Sequence, residues 1–289
     1  MMIEENQIGG FYMITHLQDT VTLNNGVNMP GFGLGVYKVE DGQTVVNSVK
    51  TAIKNGYRSI DTASFYDNEE GVGQGIKESG IPREEIFITS KVWNEEQGYE
   101  STLEAFERSL QKLNTDYLDL YLIHWPVKGK YKDTWRAMEK LYEDGRVRAI
   151  GVSNFHVHHL EDLMKDSNIK PVIDQVEYHP HLTQLELREF CEKENIQLEA
   201  WSPLKRGQLL DDPTMIEIAN TYGKSTAQVI LRWNIENNVI TIPKSITENR
   251  IIENADIFDF SLTEQDTGKI NALNINSRVG TNPDSYDVK

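Results

Sequence analysis

From residue 21 onward the chain shows two kinds of hydrophobic order in succession. The first is alternation over Val21-Thr22-Leu23-Asn24 and Val27-Asn28-Met29, interrupted by Asn25-Gly26. An Asn-Gly pair between alternating runs is the strongest short signal for a hairpin, because the tight turn needs positive φ at both central residues. The second order begins at Phe32, where short apolar runs of the kind buried on both faces alternate with longer stretches of 3.6-residue periodicity. The runs cover 32–36, 59–61, 86–91, 118–124, 149–153, 172–175, 197–201 and 239–242. Their ends recur roughly every 30 residues, the length of one strand, one helix and two short loops.

The intervening stretches carry helix punctuation. Thr183 with Glu186 and Ser225 with Gln228 read as capping boxes, in which a hydroxyl and an N3 side chain satisfy otherwise unpaired amide hydrogens. Leu187, Phe190 and Cys191 then share one helix face, which makes Cys191 a core residue rather than a nucleophile. Eight strand–helix units without a linker-like break favour a closed (β/α)8 barrel over an open doubly wound sheet. The hairpin precedes the first strand and is expected to plug the bottom of the barrel. The expected organisation is an N-terminal extension over 1–18, one barrel domain over 19–289, and a C-terminal tail after about Asn271. Met13 is the expected original start, with 1–12 an addition.

Length alone, 289 residues, allows one barrel or two smaller domains, and the even spacing of the strand ends decides for one. Charge narrows the partners. With 29 basic and 45 acidic side chains the formal charge is -16, which repels nucleic-acid phosphate and anionic lipid. The single cysteine, Cys191, excludes an intramolecular disulfide and fits a reducing compartment. No apolar run approaches the ~18 residues of a membrane span, and the first eight residues carry Glu4 and Glu5 without a Lys or Arg, unlike a signal peptide. A cytoplasmic monomer without nucleic-acid or membrane partners is expected.

In a barrel of this kind the chemistry sits at the C-terminal ends of the strands. The polar residues there are Asp61, Lys91, His124, Ser153 with Asn154, Gln175 and, just past the seventh strand, Ser202. Asp61 and Lys91 close neighbouring strands and are expected to pair across the mouth. An ammonium beside the Tyr66 hydroxyl favours phenolate, which makes Tyr66 a better proton donor. His124, one strand further on, can orient a carbonyl oxygen. The set reads as a general-acid site aimed at a C=O, without a metal. His156, His158 and His159, and His179 with His181, suggest metal ligands, but few carboxylates stand at matching spacing and there is no second cysteine. A Lys at a barrel strand end also suits a Schiff-base lyase, but a salt-bridged ammonium is a poor nucleophile. Tyr37, Trp93 and Trp125 flank the strand ends and, with His124, are expected to line a substrate pocket.

Several long motifs then occur in order. They are Gly56-Tyr57-Arg58-Ser59-Ile60-Asp61-Thr62-Ala63 followed by Glu69 and Val72-Gly73; Leu122-Ile123-His124-Trp125-Pro126; Gly151-Val152-Ser153-Asn154-Phe155; and Ile242-Pro243-Lys244-Ser245 with Arg250, Glu253 and Asn254. In these the chain resembles the aldo-keto reductases, from about Asp19 to Val288. The resemblance implies that Tyr66 is the general acid, that Lys91 and Asp61 tune it, and that His124 positions the carbonyl. It implies a nicotinamide cofactor bound without a Gly-rich Rossmann turn. Ser153, Asn154 and Gln175 would hold its carboxamide, Tyr178 would stack on its ring, and Ser202 and Leu204 would meet its pyrophosphate.

Lys244, Ser245 and Arg250 place two cations and a hydroxyl at the start of the helix after the eighth strand, where free amides already attract anions. A 2'-phosphate is the natural guest, gripped by Arg through paired hydrogen bonds and by Lys as a point charge, so NADPH is expected over NADH. Lys205 and Arg206 would add positive charge along the pyrophosphate. The loop after Trp125, the run Gln175-Val176-Glu177-Tyr178-His179-Pro180 and the ending Ser277-Arg278-Val279-Gly280 resemble bacterial glyoxal, methylglyoxal and 2,5-diketo-D-gluconate reductases. Small α-dicarbonyls are therefore the expected substrates. In relatives the C-terminal tail overhangs the pocket, and here it is short, which fits broad specificity. Some barrels of this family serve as non-catalytic, cofactor-sensing channel partners, a reading the intact Asp61, Tyr66, Lys91 and His124 set argues against.

Overall fold

Strands that are apolar on both faces need cover on both faces, and a parallel barrel wrapped in helices supplies it. The protein, as a computed structural model, is described over residues 14–285 and at the pairs 7–8 and 11–12. The expected start at Met13 lies outside the described residues. Two short antiparallel pairs come first: β1 (Gln7–Ile8) with β2 (Phe11–Tyr12), and β3 (Thr20–Thr22) with β4 (Asn28–Pro30). Eight parallel strands then run side by side in chain order: β5 (Leu34–Gly35), β6 (Ser59–Asp61), β7 (Phe87–Val92), β8 (Leu118–Ile123), β9 (Val147–Ser153), β10 (Ile173–Glu177), β11 (Gln197–Trp201) and β12 (Val239–Thr241). Closure between the first and the last comes from Gly33 N–H on the Thr241 carbonyl at 3.0 Å and Gly35 N–H on the Pro243 carbonyl at 3.3 Å. This is the closed (β/α)8 barrel expected. Pairing continues two residues past Gln175, because Glu177 lies in register with Trp201.

The helices are α1 (Gln43–Lys54), α2 (Glu69–Ser79), α3 (Tyr99–Leu113), α4 (Tyr131–Glu143), α5 (Val157–Met164), α6 (Leu185–Glu194), α7 (Pro213–Tyr222), α8 (Thr226–Glu236), α9 (Glu248–Ala255) and α10 (Glu264–Asn271). None is long and apolar enough to cross a membrane. The Ser225–Gln228 capping box forms at the start of α8. The Thr183–Glu186 box does not. Gln184, in the left-handed region at φ 49, stands between Thr183 and the first turn of α6, and the Thr183 N–H donates to Asn274 Oδ1 instead. Leu187 and Cys191 are buried as expected, and burial pushes the Cys191 thiol up, so it is inert.

The β3–β4 hairpin closes the bottom. Leu23 and Met29 pack with Phe87, Leu120, Ile173 and Ile240 inside the barrel. At the turn, Asn24 Nδ2 donates to the Pro171 and Asn195 carbonyls and Asn25 Nδ2 to that of Arg148. Ile14 and Leu17, from the stretch expected as an extension, pack into the main core.

Gly73 shows how closely the helix layer packs. A Cβ there would lie 2.3 Å from the carbonyl oxygen of Leu113, the last residue of α3. Gly73→Ala gains about 1 kcal/mol of helix propensity but overpacks backbone against backbone, at a cost of about 1–3 kcal/mol. The expected result is a lower midpoint in urea unfolding, and a midpoint at or above wild type would refute this account.

Candidate active site

The strand ends bring four side chains together at the top of the barrel. Lys91 Nζ donates to Asp61 Oδ1 at 2.7 Å and to the Thr62 carbonyl at 2.8 Å, and stands 3.3 Å from Tyr66 Oη. All three ammonium hydrogens are thereby engaged. Lys91 and Asp61 are buried. Burial pulls the ammonium down, but Asp61 and then Tyr66 outweigh it, and Lys91 ends above its ordinary value. It stays charged, so the amine lone pair a Schiff-base lyase requires is withheld.

Tyr66 sits on the short turn Ser64–Tyr66 that follows β6. Lys91 was expected to favour its phenolate. Burial is the larger influence, however, and pushes the phenol up to about 12 against the pull of Lys91. The hydroxyl therefore keeps its proton at neutral pH, as a donor must. His124 is buried, and burial followed by the Lys91 charge holds its imidazole well below the usual range. The ring is neutral, and its Nδ1 has no hydrogen-bond partner among the described residues.

Aromatic rings wall the mouth. Tyr37 lies 5.0 Å from Tyr66 between ring centroids, and Trp93 5.0 Å from His124. Trp125 is mostly buried, with its carbonyl accepting from Gln97 Nε2. Phe65, absent from the expected set, stacks on Trp93 at 3.8 Å and is largely exposed. It stands on a turn, where strand ends give no signal, but its place in the sequence beside Tyr66 could have found it.

A second layer of polar groups continues round the barrel. Ser153 Oγ donates to the Gln175 carbonyl, and Asn154 Nδ2 donates to that of His124 at 2.9 Å. Gln175 Nε2 donates to Asp61 Oδ2 at 2.7 Å and to Glu199 Oε2 at 2.8 Å. Tyr178 is a correction. Its ring is fully buried and lies flat on Trp233, 4.8 Å away at 6°, so it offers no face to a ligand in the mouth. The aromatic at that level is Trp201, the last residue of β11, half-buried, with Nε1 donating to Asn154 Oδ1.

The sequence model of the aldo/keto reductase family matches residues 31–275. The chain belongs to the aldo/keto reductase family. It is 69% identical over 272 residues to the glyoxal reductase of Bacillus subtilis, covering 94% of this chain and 99% of that one. To the methylglyoxal reductase DkgA of Salmonella typhimurium it is 43% identical over 270 residues, covering 92% and 97%. A crystal structure of a Gox0644 variant in complex with NADPH superposes with a TM-score of 0.90 at 43% identity, covering 94% of this chain and 99% of that one.

In this aldo/keto reductase the residues expected to meet a cofactor phosphate gather before and within α9. Lys244 and Arg250 are exposed and enter none of the ion pairs formed among the described residues, and Glu253 is exposed beside them. Ser245 and Asn254 are buried, and Ser245 Oγ accepts from the Thr247 N–H. Ser202, at φ 48, and Leu204 are half-buried after β11. Lys205 departs from expectation: it is buried, and its ammonium is spent on His181 Nδ1 at 2.9 Å and Ser277 Oγ at 3.0 Å. Arg206 is exposed.

The C-terminal tail is clasped over the mouth. Glu177 accepts from the backbone N–H groups of Val279 and Gly280 and meets His179 Nε2 at 2.8 Å. A Cβ at Gly280 would lie 2.4 Å from the Trp201 ring, so only glycine lets the tail approach so closely. Further on, Asp284 meets His156 Nδ1 and His158 Nε2, each at 3.0 Å, with His159 Nε2 at 3.8 Å. His156 Nε2 faces Arg278 Nη2, and His159 Nδ1 accepts from the His156 N–H. Burial holds the His156 and His159 imidazoles below the usual range against the pull of Asp284. The fold thus adds to the three histidines a carboxylate that spacing along the chain did not offer, with the four ligand atoms within 4.8 Å of one another.

Proposed function

We propose that this protein reduces aldehydes and ketones with NADPH, and that its substrates are small α-dicarbonyls such as glyoxal and methylglyoxal. The observation that carries this reading is the Tyr66 hydroxyl, 3.3 Å from a buried Lys91–Asp61 pair and beside a neutral His124. When bound, the nicotinamide supplies the hydride that the carbonyl carbon accepts. Tyr66 gives its proton to the carbonyl oxygen, and Lys91 stabilises the phenolate left behind. His124 donates one N–H to the oxygen where negative charge grows. Ser153 and Asn154 hold the carboxamide with Gln175, and Trp201 takes the stacking role first given to Tyr178. The substrate class rests on the names of the Bacillus and Salmonella relatives and on a mouth walled by Tyr37, Phe65 and Trp93.

The reading is tested by NADPH consumption with methylglyoxal, phenylglyoxal and a nitrobenzaldehyde. Turnover of none of them would overturn it. The preference for NADPH rests on Lys244 and Arg250, two cations without ion-pair partners among the described residues beside the first turn of α9, where a 2'-phosphate finds charge and free amides. Arg250→Ala is expected to weaken NADPH about 10- to 100-fold, the worth of a charge-assisted hydrogen bond, and NADH far less. Fluorescence titration with both cofactors decides it, and equal losses would undo the phosphate assignment.

A further inference from the structure

The interior of the barrel holds a second carboxyl that the reduction as described does not use. Glu199, in the middle of β11, is fully buried, with Gln175 beside it in register on β10 and Ile240 on β12. Its Oε2 accepts one Gln175 Nε2 hydrogen, while the other goes to Asp61 Oδ2, so a single amide bridges the two carboxyls. Its Oε1 is buried without a hydrogen-bond partner among the described residues.

Charge counting limits what this arrangement can be. Asp61 and Glu199 share the interior with one cation, Lys91, which is bonded to Asp61. A second carboxylate there would be an unpaired buried charge with an orphaned oxygen, among the most costly arrangements a protein can hold. A proton on Glu199 removes the charge, the larger part of that cost. Burial and the Asp61 charge both hold the Glu199 carboxyl well above the usual carboxylate range, against the weaker pull of Gln175 and Lys91.

We propose that Glu199 is a positioning residue of the reductive site, a carboxyl that keeps its proton at neutral pH and, through Gln175, fixes Asp61 against Lys91. The proposal rests on the reductase reading above. The charged groups that act on Glu199 are Asp61 from β6 and Lys91 from β7, while β10 presents the neutral Gln175 and β12 the apolar Ile240. Loss of the proton places a second negative charge beside Asp61. That charge competes for Lys91 and makes a phenolate at Tyr66 harder to form, so reduction slows as Glu199 ionises.

The test is Glu199→Gln, which keeps an oxygen to accept from Gln175 and has no ionisable proton. The kcat for methylglyoxal reduction, followed from about pH 6 to about pH 10, is expected to fall about tenfold in the wild type through an alkaline inflection that the variant lacks. The wild-type-minus-variant infrared difference spectrum, which needs no turnover and cancels the other buried carboxyls such as Asp174, should show a protonated-carboxyl band at neutral pH. It should bleach over the pH range of the kinetic inflection. A variant with the wild-type inflection, or spectra without that band difference, would overturn the role of Glu199. A wild type that reduces nothing would overturn the reductase reading instead.

Discussion

Tyr66→Phe leaves NADPH bound and removes carbonyl reduction. The substitution deletes one oxygen. The ring keeps its neighbours, Tyr37 at 5.0 Å and His124 at 5.7 Å, and Lys91 keeps both Asp61 and the Thr62 carbonyl as acceptors. Neither the fold nor the surface beside α9 depends on the hydroxyl, so cofactor affinity is expected within about twofold of wild type. What disappears is the proton for the developing alkoxide, and general-acid catalysis of this kind is worth about 10²- to 10⁴-fold. Single-turnover oxidation of NADPH measures it, and a variant within tenfold of wild type would refute the assignment. The phenol's position, pushed up to about 12, adds a sign: the proton is in place throughout the neutral and mildly alkaline range and is lost only as pH rises through that value. An inflection at lower pH belongs to another group.

Lys91→Met is expected to damage stability as well as catalysis. Asp61 is buried at 2% exposure, and the Lys91 ammonium is its only cation among the described residues. Removing one partner of a buried pair costs about 3–5 kcal/mol, because the remaining charge stays buried and uncompensated. Adding Asp61→Asn removes the stranded charge and should recover part of the loss. Urea unfolding midpoints of the single and double variants measure both effects. A single variant as stable as wild type would mean the pair contributes nothing to holding the barrel together.

The eight strands were legible because each is a buried run between polar ends, and the Asp61–Lys91 pair because neighbouring strands in a parallel barrel carry their polar ends to the same mouth, with Lys91 two residues beyond the register partner of Asp61. The misplaced ring has an equally simple cause. Side chains alternate along a strand, so Gln175 and Glu177 share a face while Tyr178, an odd step away, falls on the other side against Trp233. The same parity puts Trp201 on the face of Glu199, and applied to β11 it would have named the half-buried ring at the mouth. Lys205 and Thr183 failed for a different reason. Both depend on backbone turned through the left-handed region, at Lys205 itself and at Gln184, which charge pattern and capping signals do not encode.

The clasp of Glu177 on Val279 and Gly280 divides the labour of the chain. On the proposed reading, proton transfer rests on residues 61 to 124, whereas residues 279 to 284, which approach the opening, are held by one carboxylate and a histidine cluster. Substitutions in that segment would then alter access to the barrel without touching the proposed proton donor.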